Sequence, residues 1–242
     1  MKNTKSALVV GGSTGIGLGV AQTLIELGYE VHIISRSEPK MINNSFIWHM
    51  CDLRDPERAK YTLESICNDG FSFACFSAAY YGPKRCSFLE TDWNFWREQS
   101  TIMIDGLWLT LASVLPFLLM NKGIFLGISS EVAINYGPGR ASYSACKAAA
   151  LGLINSVSAE ISPHQVLITQ ALPEGMVDSP GIRARRATDF DYSSYMTPDD
   201  FKPFLRALVM NRDSTFHGKT LMISKSGTWS LIHSNHLPPS QS

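Results

Sequence analysis

The sequence predicts a single α/β domain built on a doubly wound parallel sheet. Three observations carry this reading. Short, almost continuously apolar runs alternate with longer amphipathic stretches, and a glycine-rich turn follows the first apolar run. A length of 242 residues with 45% hydrophobic content also suits one sizeable core. Only 17% of residues are charged, which argues against disorder. Lysine plus arginine and aspartate plus glutamate balance at 21 each. A neutral chain lacks the basic footprint of a general nucleic-acid binder, and its low net charge hints at self-association.

Taken in order, residues 7–10, 31–34, 46–50, 71–76, 124–128, 166–171 and 220–223 read as buried strands. Helices are expected over 15–27, 56–68, 93–119, 142–161 and 198–210. Asp55-Pro56-Glu57 supplies an N-cap, a proline at the first helical position and an early acid, and Thr197-Pro198-Asp199-Asp200 repeats that logic. Gly28 marks the end of the first helix. The apolar stretch 107–120 is interrupted by Thr110, Ser113 and Pro116 and reads as too short to span a bilayer. Five cysteines without a CxxC pair fit a reducing compartment, and the N-terminal apolar run is too brief for a signal peptide. A soluble cytoplasmic protein is therefore expected. The Asn43-Asn44-Ser45 sequon carries no meaning there.

The first strand runs directly into Gly11-Gly12-Ser13-Thr14-Gly15-Ile16-Gly17, and a helix follows. Glycines permit a tight turn and let backbone N–H groups approach a pyrophosphate at the helix N-terminus. The spacing differs from the common dinucleotide fingerprint, since Val20 stands where its third glycine would be. Leu18 after Gly17, where a lysine would be required, excludes a P-loop. A Rossmann-like sheet with its ligand at the strands' carboxyl ends is the expectation. At the end of the second strand, Ser35 occupies the place of the acid that would bond an NAD ribose, and Arg36 follows. That pair suits the 2′-phosphate of NADP. Asp52, beside Leu53 after the next strand, could accept from an adenine amino group or cap a turn.

Tyr143 and Lys147 stand four residues apart on one helix face, where an ammonium can stabilise a phenolate and lower its pKa. The same pattern at Tyr80 and Lys84 encloses Gly82-Pro83, which breaks the helical turn it needs. Thirteen residues before Tyr143, at the end of an apolar strand, Ser130 offers a hydroxyl that could bond a substrate carbonyl oxygen while Tyr143 protonates it.

The glycine loop with Gly15-Ile16-Gly17, then Ser130, Tyr143 and Lys147 in this order, resembles the short-chain dehydrogenase/reductase family of single-domain subunits. The likeness runs from Leu8 to about Gly227. It implies that Tyr143 is the general acid, that Ser130 orients the carbonyl, and that Lys147 holds the nicotinamide ribose. Gly11, Ser13, Thr14, Gly15, Ile16 and Gly17 would cradle NADP(H), with Ser35, Arg36, Asp52, Leu53, Ala78 and Ala79 along the adenosine side. Gly175-Met176-Val177-Asp178-Ser179 resembles the family's Gly-x-Val-x-Thr segment, so Val177 and Ser179 would meet the carboxamide end. Residues 178–197 resemble a substrate lid, and 238–242 form a polar tail of the single domain 1–242. The implied activity is NADPH-dependent reduction of a small-molecule ketone, in a β-ketoacyl or polyketide-like biosynthetic setting, by a homodimer or homotetramer. No metal, nucleic acid or membrane partner is expected.

Three positions depart from the family pattern. Ser77-Ala78-Ala79-Tyr80 stands for Asn-Asn-Ala-Gly, Met103 for the active-site asparagine, and Glu174 for the proline before Gly175. These leave open a rival reading, a catalytically weak NADP(H)-binding protein with a sensing or assembly role. Arg183, Arg185 and Arg186 could hold a phosphate of coenzyme A or a carrier arm, or merely line a solvated face. Trp93, Phe95 and Trp96 read as core or interface aromatics, and the small residues of 141–150 would permit close helix packing. His233 and His236 have no third ligand beside them.

Overall fold

In the computed structural model, which describes residues 5–40, 45–67, 70–82 and 85–232, seven strands run parallel and an eighth closes the edge antiparallel. They are β1 (Ser6–Val10), β2 (Glu30–Ser35), β3 (Phe46–Met50), β4 (Phe71–Phe76), β5 (Ile124–Ile128), β6 (Leu167–Pro173), β7 (Thr220–Ile223) and β8 (Trp229–Leu231). Their order is β3-β2-β1-β4-β5-β6-β7-β8, so the winding reverses between β1 and β4. That switch point opens a crevice at the carboxyl ends of the strands. Asn43, Asn44, Asn68, Lys84, His233, His236 and the tail lie outside the described residues.

The apolar runs are continuous because both faces of the sheet are covered. Along β1, Ala7 and Val9 pack beneath α1 (Gly15–Glu26) and α8 (Lys202–Asn211), against Val20, Leu24, Phe204 and Leu208. Leu8 and Val10 face the other layer, formed by α2 (Pro56–Ile66), α4 (Gly106–Met120) and α6 (Ala141–Glu160), among Leu63, Leu107, Leu111 and Ile154. Each of the larger side chains, Val, Leu, Ile or Phe, contributes roughly 1.5–3 kcal/mol on burial. The expected caps form: the Asp55 carboxylate accepts from the Arg58 N–H at 3.1 Å, and Asp200 accepts from the Thr197 N–H at 2.6 Å. Gly28 ends α1 at φ +83°.

The expected helix 93–119 is one helical run with a defect. α3 (Trp93–Ser100) passes through a π-helical turn, Thr101–Asp105, into α4. Gly106 follows that turn, and a Cβ there would lie 3.2 Å from Leu53 Cδ1. The whole run, Trp93–Met120, is 28 residues and contains an 18-residue window of mean hydropathy 1.9, so by length and composition alone the combined run is long and apolar enough to cross a bilayer, which 107–120 by itself is not. Its apolar residues instead serve the sheet, where Leu107, Leu111, Val114 and Leu118 are buried. The sequence also gave no warning of β8, of α5 (Val132–Asn135) or of α7 (Pro180–Arg183). Segments of three or four residues are too short to show a period.

A pair of histidines joins β2 to β3: His32 Nδ1 lies 3.1 Å from His49 Nε2, with the rings stacked. Burial, then the neighbouring His32, lowers the His49 pKa below its ordinary 6.5. The unfolded chain therefore takes up a proton that the folded chain resists. Stability should be full above about pH 6.5 and fall as pH drops toward the depressed folded value. Urea midpoints across pH 5–8 should show this slope, and His49→Phe should flatten it; an unchanged slope would remove His49 as its source.

Candidate active site

A cleft of about 820 Å³ follows the carboxyl ends of the strands, from the glycine loop to the segment after β6. At one wall Gly11 leaves β1 at φ +84° and comes so close to the segment after β4 that a Cβ would sit 2.5 Å from the Ala78 backbone nitrogen. A Cβ on Gly17 would lie 2.3 Å from the Gly11 carbonyl oxygen, so the first turn of α1 rests directly on the loop. Gly17 supports the cradle from behind, while Gly11, Ser13, Thr14, Gly15 and Ile16 line it. Thr14, the N-cap, makes no side-chain cap, which leaves the N–H groups of the first α1 turn available to an anion.

Arg36, Asp52, Leu53, Ala78 and Ala79 extend this wall. The Ser35 hydroxyl is already engaged, donating to the Ser37 carbonyl at 2.8 Å and accepting from Trp48 Nε1 at 3.2 Å. That leaves Arg36 as the group able to meet a phosphate. Asp52 accepts from the Arg54 N–H at 3.0 Å and from its guanidinium at 2.9 and 2.6 Å, and the paired Arg54 holds its carboxyl below the usual range. It therefore caps a turn as well as facing the cleft. Tyr80 is absorbed into the wall: its ring meets Phe95 edge-on at 5.9 Å, and its carbonyl accepts from Gln99 at 2.8 Å. These residues form a cradle that a dinucleotide fits, by the close backbone approach that only glycine allows and by the uncapped helix end.

Across the cleft, α6 and the end of β5 bring the expected triad together. Ser144 donates to the Val132 carbonyl at 2.6 Å, fixing α6 against α5 and with it the half-buried Tyr143. Lys147 is 5% exposed and donates to the Ile128 carbonyl at 2.8 Å; its Nζ lies 6.0 Å from the Tyr143 ring centre. Burial brings Lys147 down to about 8. Tyr143 corrects the sequence expectation of a lowered phenol. Burial raises it well above 10, with Tyr81 and Glu131 adding to the effect and the Ser130 hydroxyl opposing it. In this arrangement the ammonium is directed to a backbone carbonyl, and desolvation of the phenolate prevails.

Met103 sits in the π-helical turn, 1% exposed, beside a void of about 10 Å³ that also touches Lys147 and Ser129. Ser179 lies opposite the glycine loop, 3.5 Å from where a Gly15 Cβ would be, and the neighbouring Val177 bridges to Met196. The expected lid therefore leaves and returns through one β-bridge. Glu174 is exposed and does not line the cleft. The arginines divide: Arg183 pairs with Asp178 at 2.6 Å on the outside, whereas Arg185 and Arg186 line the cleft.

Among the lining residues that escaped the sequence reading are Tyr81, Arg85, Glu131 and Arg140. The Tyr81 ring packs tilted against Tyr143, centres 5.1 Å apart, and carries the Arg185 guanidinium 4.7 Å above it. Ser130 donates to Glu131 at 2.7 Å, and Glu131 accepts from Arg140 at 3.1 Å. Adjacency was the available signal: Glu131 follows Ser130, Tyr81 follows Tyr80, and Arg140 precedes Tyr143 by one helical turn.

A doubly wound sheet with a glycine cradle facing a serine, a tyrosine and a lysine defines a nucleotide-dependent oxidoreductase domain. The chain belongs to the short-chain dehydrogenase family, whose profile, described as short chain dehydrogenase, matches residues 5–189. Among curated relatives, it is 24% identical to the 3-oxoacyl-acyl-carrier-protein reductase FabG of Rickettsia typhi, covering 91% of this chain and 95% of that one. The Staphylococcus aureus FabG is 22% identical over 93% and 98%. In fold, it is similar to a Burkholderia cenocepacia short-chain dehydrogenase in complex with NADP (TM-score 0.77, 18% identity, covering 92% and 97%). It is also similar to the aldohexose dehydrogenase of Thermoplasma acidophilum (TM-score 0.80, 18% identity, covering 99% and 97%).

Proposed function

We propose that the protein reduces a ketone to an alcohol with NADPH, in the cytoplasm and as a homodimer or homotetramer. The observation that carries this reading is the grouping of Ser130, Tyr143 and Lys147 across the cleft from the glycine cradle. Bound there, NADPH supplies the hydride. Gly11 to Ile16 would hold its pyrophosphate, Arg36 the 2′-phosphate, Lys147 the nicotinamide ribose, and Val177 with Ser179 the carboxamide end. Ser130, once turned from Glu131, would direct its hydroxyl at the carbonyl oxygen, and Tyr143 would give that oxygen its proton. FabG relatives support a β-ketoacyl substrate. Exposed Trp93, Trp108 and Met120 on the outer helices support self-association.

Arg36→Ala tests the cofactor: NADPH affinity should fall by about 10-fold or more, the worth of a charge-assisted phosphate contact, while NADH affinity changes far less. Equal losses would overturn the NADP preference. Met103, which has no polar group to offer beside Lys147, favours the rival reading of a catalytically weak nucleotide-binding protein. Tight NADPH binding without a Tyr143-dependent rate on any ketone, a β-ketoacyl thioester included, would establish that rival.

A further inference from the structure

The substrate half of the cleft is strongly cationic. Arg85, Arg140, Arg185 and Arg186 all line it, and Glu131 is the one carboxylate lining that half among the described residues. The arginines are near enough to act on one another: burial, then Arg140, Arg186 and Arg185, hold Arg85 below its ordinary range. Like charges gathered in a half-enclosed site repel, and a bound anion relieves that repulsion. The site is built rather than incidental. Arg185 is fixed over the Tyr81 ring and by its Nε to the Gly181 carbonyl at 2.9 Å, and Arg186 donates to the Tyr195 hydroxyl at 3.1 and 3.2 Å. Arg140 still has a buried Nε without a partner.

Glu131 occupies the position where such an anion would be useful. One of its oxygens accepts a hydrogen bond from the Ser130 hydroxyl at 2.7 Å, and the other accepts one from Arg140 at 3.1 Å. While that arm is in place, the Ser130 hydroxyl is directed at Glu131 and away from any carbonyl. We propose that the substrate carries a carboxylate or phosphate group that replaces Glu131 on Arg140, so that binding of the anion releases Ser130 to donate to the carbonyl oxygen. The release step rests on the reading of the cleft as a carbonyl-reducing site; the anion site does not.

Two measurements test this and keep the two readings apart. Calorimetric titration of the NADPH-loaded protein with malonate and with inorganic phosphate reads the anion site without turnover. At least one should bind at millimolar concentration or better, and Arg140→Gln should weaken it by about 10-fold or more, as loss of a charge-assisted pair requires. Malonate binding alone assigns a carboxylate, and phosphate binding alone a phosphate ester. The double variant Arg85→Gln/Arg186→Gln gives a second test should Arg140→Gln fold poorly.

The second measurement compares acetoacetate with methyl acetoacetate, equal in backbone and differing in charge. The acid should have kcat/KM about 10-fold or more above the ester, and Glu131→Ala should narrow that ratio by raising the ester's rate. Failure of both anions to bind would overturn the proposal, as would, where malonate binds, an ester reduced as well as the acid. Anion binding without any Tyr143-dependent reduction would leave the anion site standing, while overturning the release step and the reductase reading on which it rests.

Discussion

Tyr143→Phe should lower NADPH-dependent ketone reduction by about 10²–10⁴-fold in kcat, the range expected for loss of a positioned general acid. The substitution removes one oxygen and keeps the ring, which packs against Tyr81 at 5.1 Å. The helix that carries it is anchored elsewhere, by the 2.6 Å bond from Ser144 to Val132. Melting temperature and NADPH affinity should therefore stay close to wild type, and the loss should appear in turnover. Tyr81 sharpens the test, because it offers a second phenol within contact of the first. If Tyr81 relayed the proton in place of Tyr143, Tyr143→Phe would retain most of its rate and Tyr81→Phe would not. The expected order is the reverse, with Tyr143→Phe the more damaging. Steady-state rates on a ketone panel decide between them.

Gly17→Ala should be the most damaging small change to the fold and the nucleotide cradle together. Its methyl group would stand 2.3 Å from the Gly11 carbonyl oxygen and 3.1 Å from the Ser77 Cβ. The nearest atom is backbone, in a loop pinned between β1 and β4, so no rotamer change relieves the overlap. A cost on the order of 1–3 kcal/mol from overpacking is expected. The loop must move, so NADPH affinity should fall as well. Gly28→Ala is the informative comparison: its φ is positive, +83°, whereas Gly17 is helical, and a Cβ at Gly28 meets nothing within 4 Å. It should cost about 1–2 kcal/mol of backbone strain and leave NADPH binding unaltered. Urea unfolding with and without NADPH separates the two effects. Equal nucleotide binding by Gly17→Ala and wild type would contradict the role given to the loop.

The parallel sheet was legible because its strands are buried on both faces, so their apolar runs are unbroken, and because Asp55, Thr197 and Gly28 mark helix ends by local chemistry. Ser130, Tyr143 and Lys147 were legible through spacing, since a helical turn and a strand end convert sequence distance into spatial distance. What escaped was set by contacts between distant loops. No local pattern indicates that Arg85, Arg140, Arg185 and Arg186 converge, because the segments bearing them meet only when the sheet is assembled. The Tyr143 pKa escaped for a related reason: the sequence shows Lys147 one turn away, but not that its ammonium is bonded to Ile128 while burial acts on the phenol. The π-helical turn at Thr101–Asp105 escaped because it alters a helix by a fraction of a turn, within residues that read as helical on either side.

Transfer of deuterium from NADPH labelled at nicotinamide C4 to a ketone, followed by mass spectrometry of the alcohol in wild type and Tyr143→Phe, tests the central claim most directly. Label on the carbinol carbon in wild type, with its appearance slowed by at least about 10²-fold in the variant, is the expected result. Tight NADPH binding with no label in any alcohol, or label appearing equally fast without the Tyr143 hydroxyl, would contradict it.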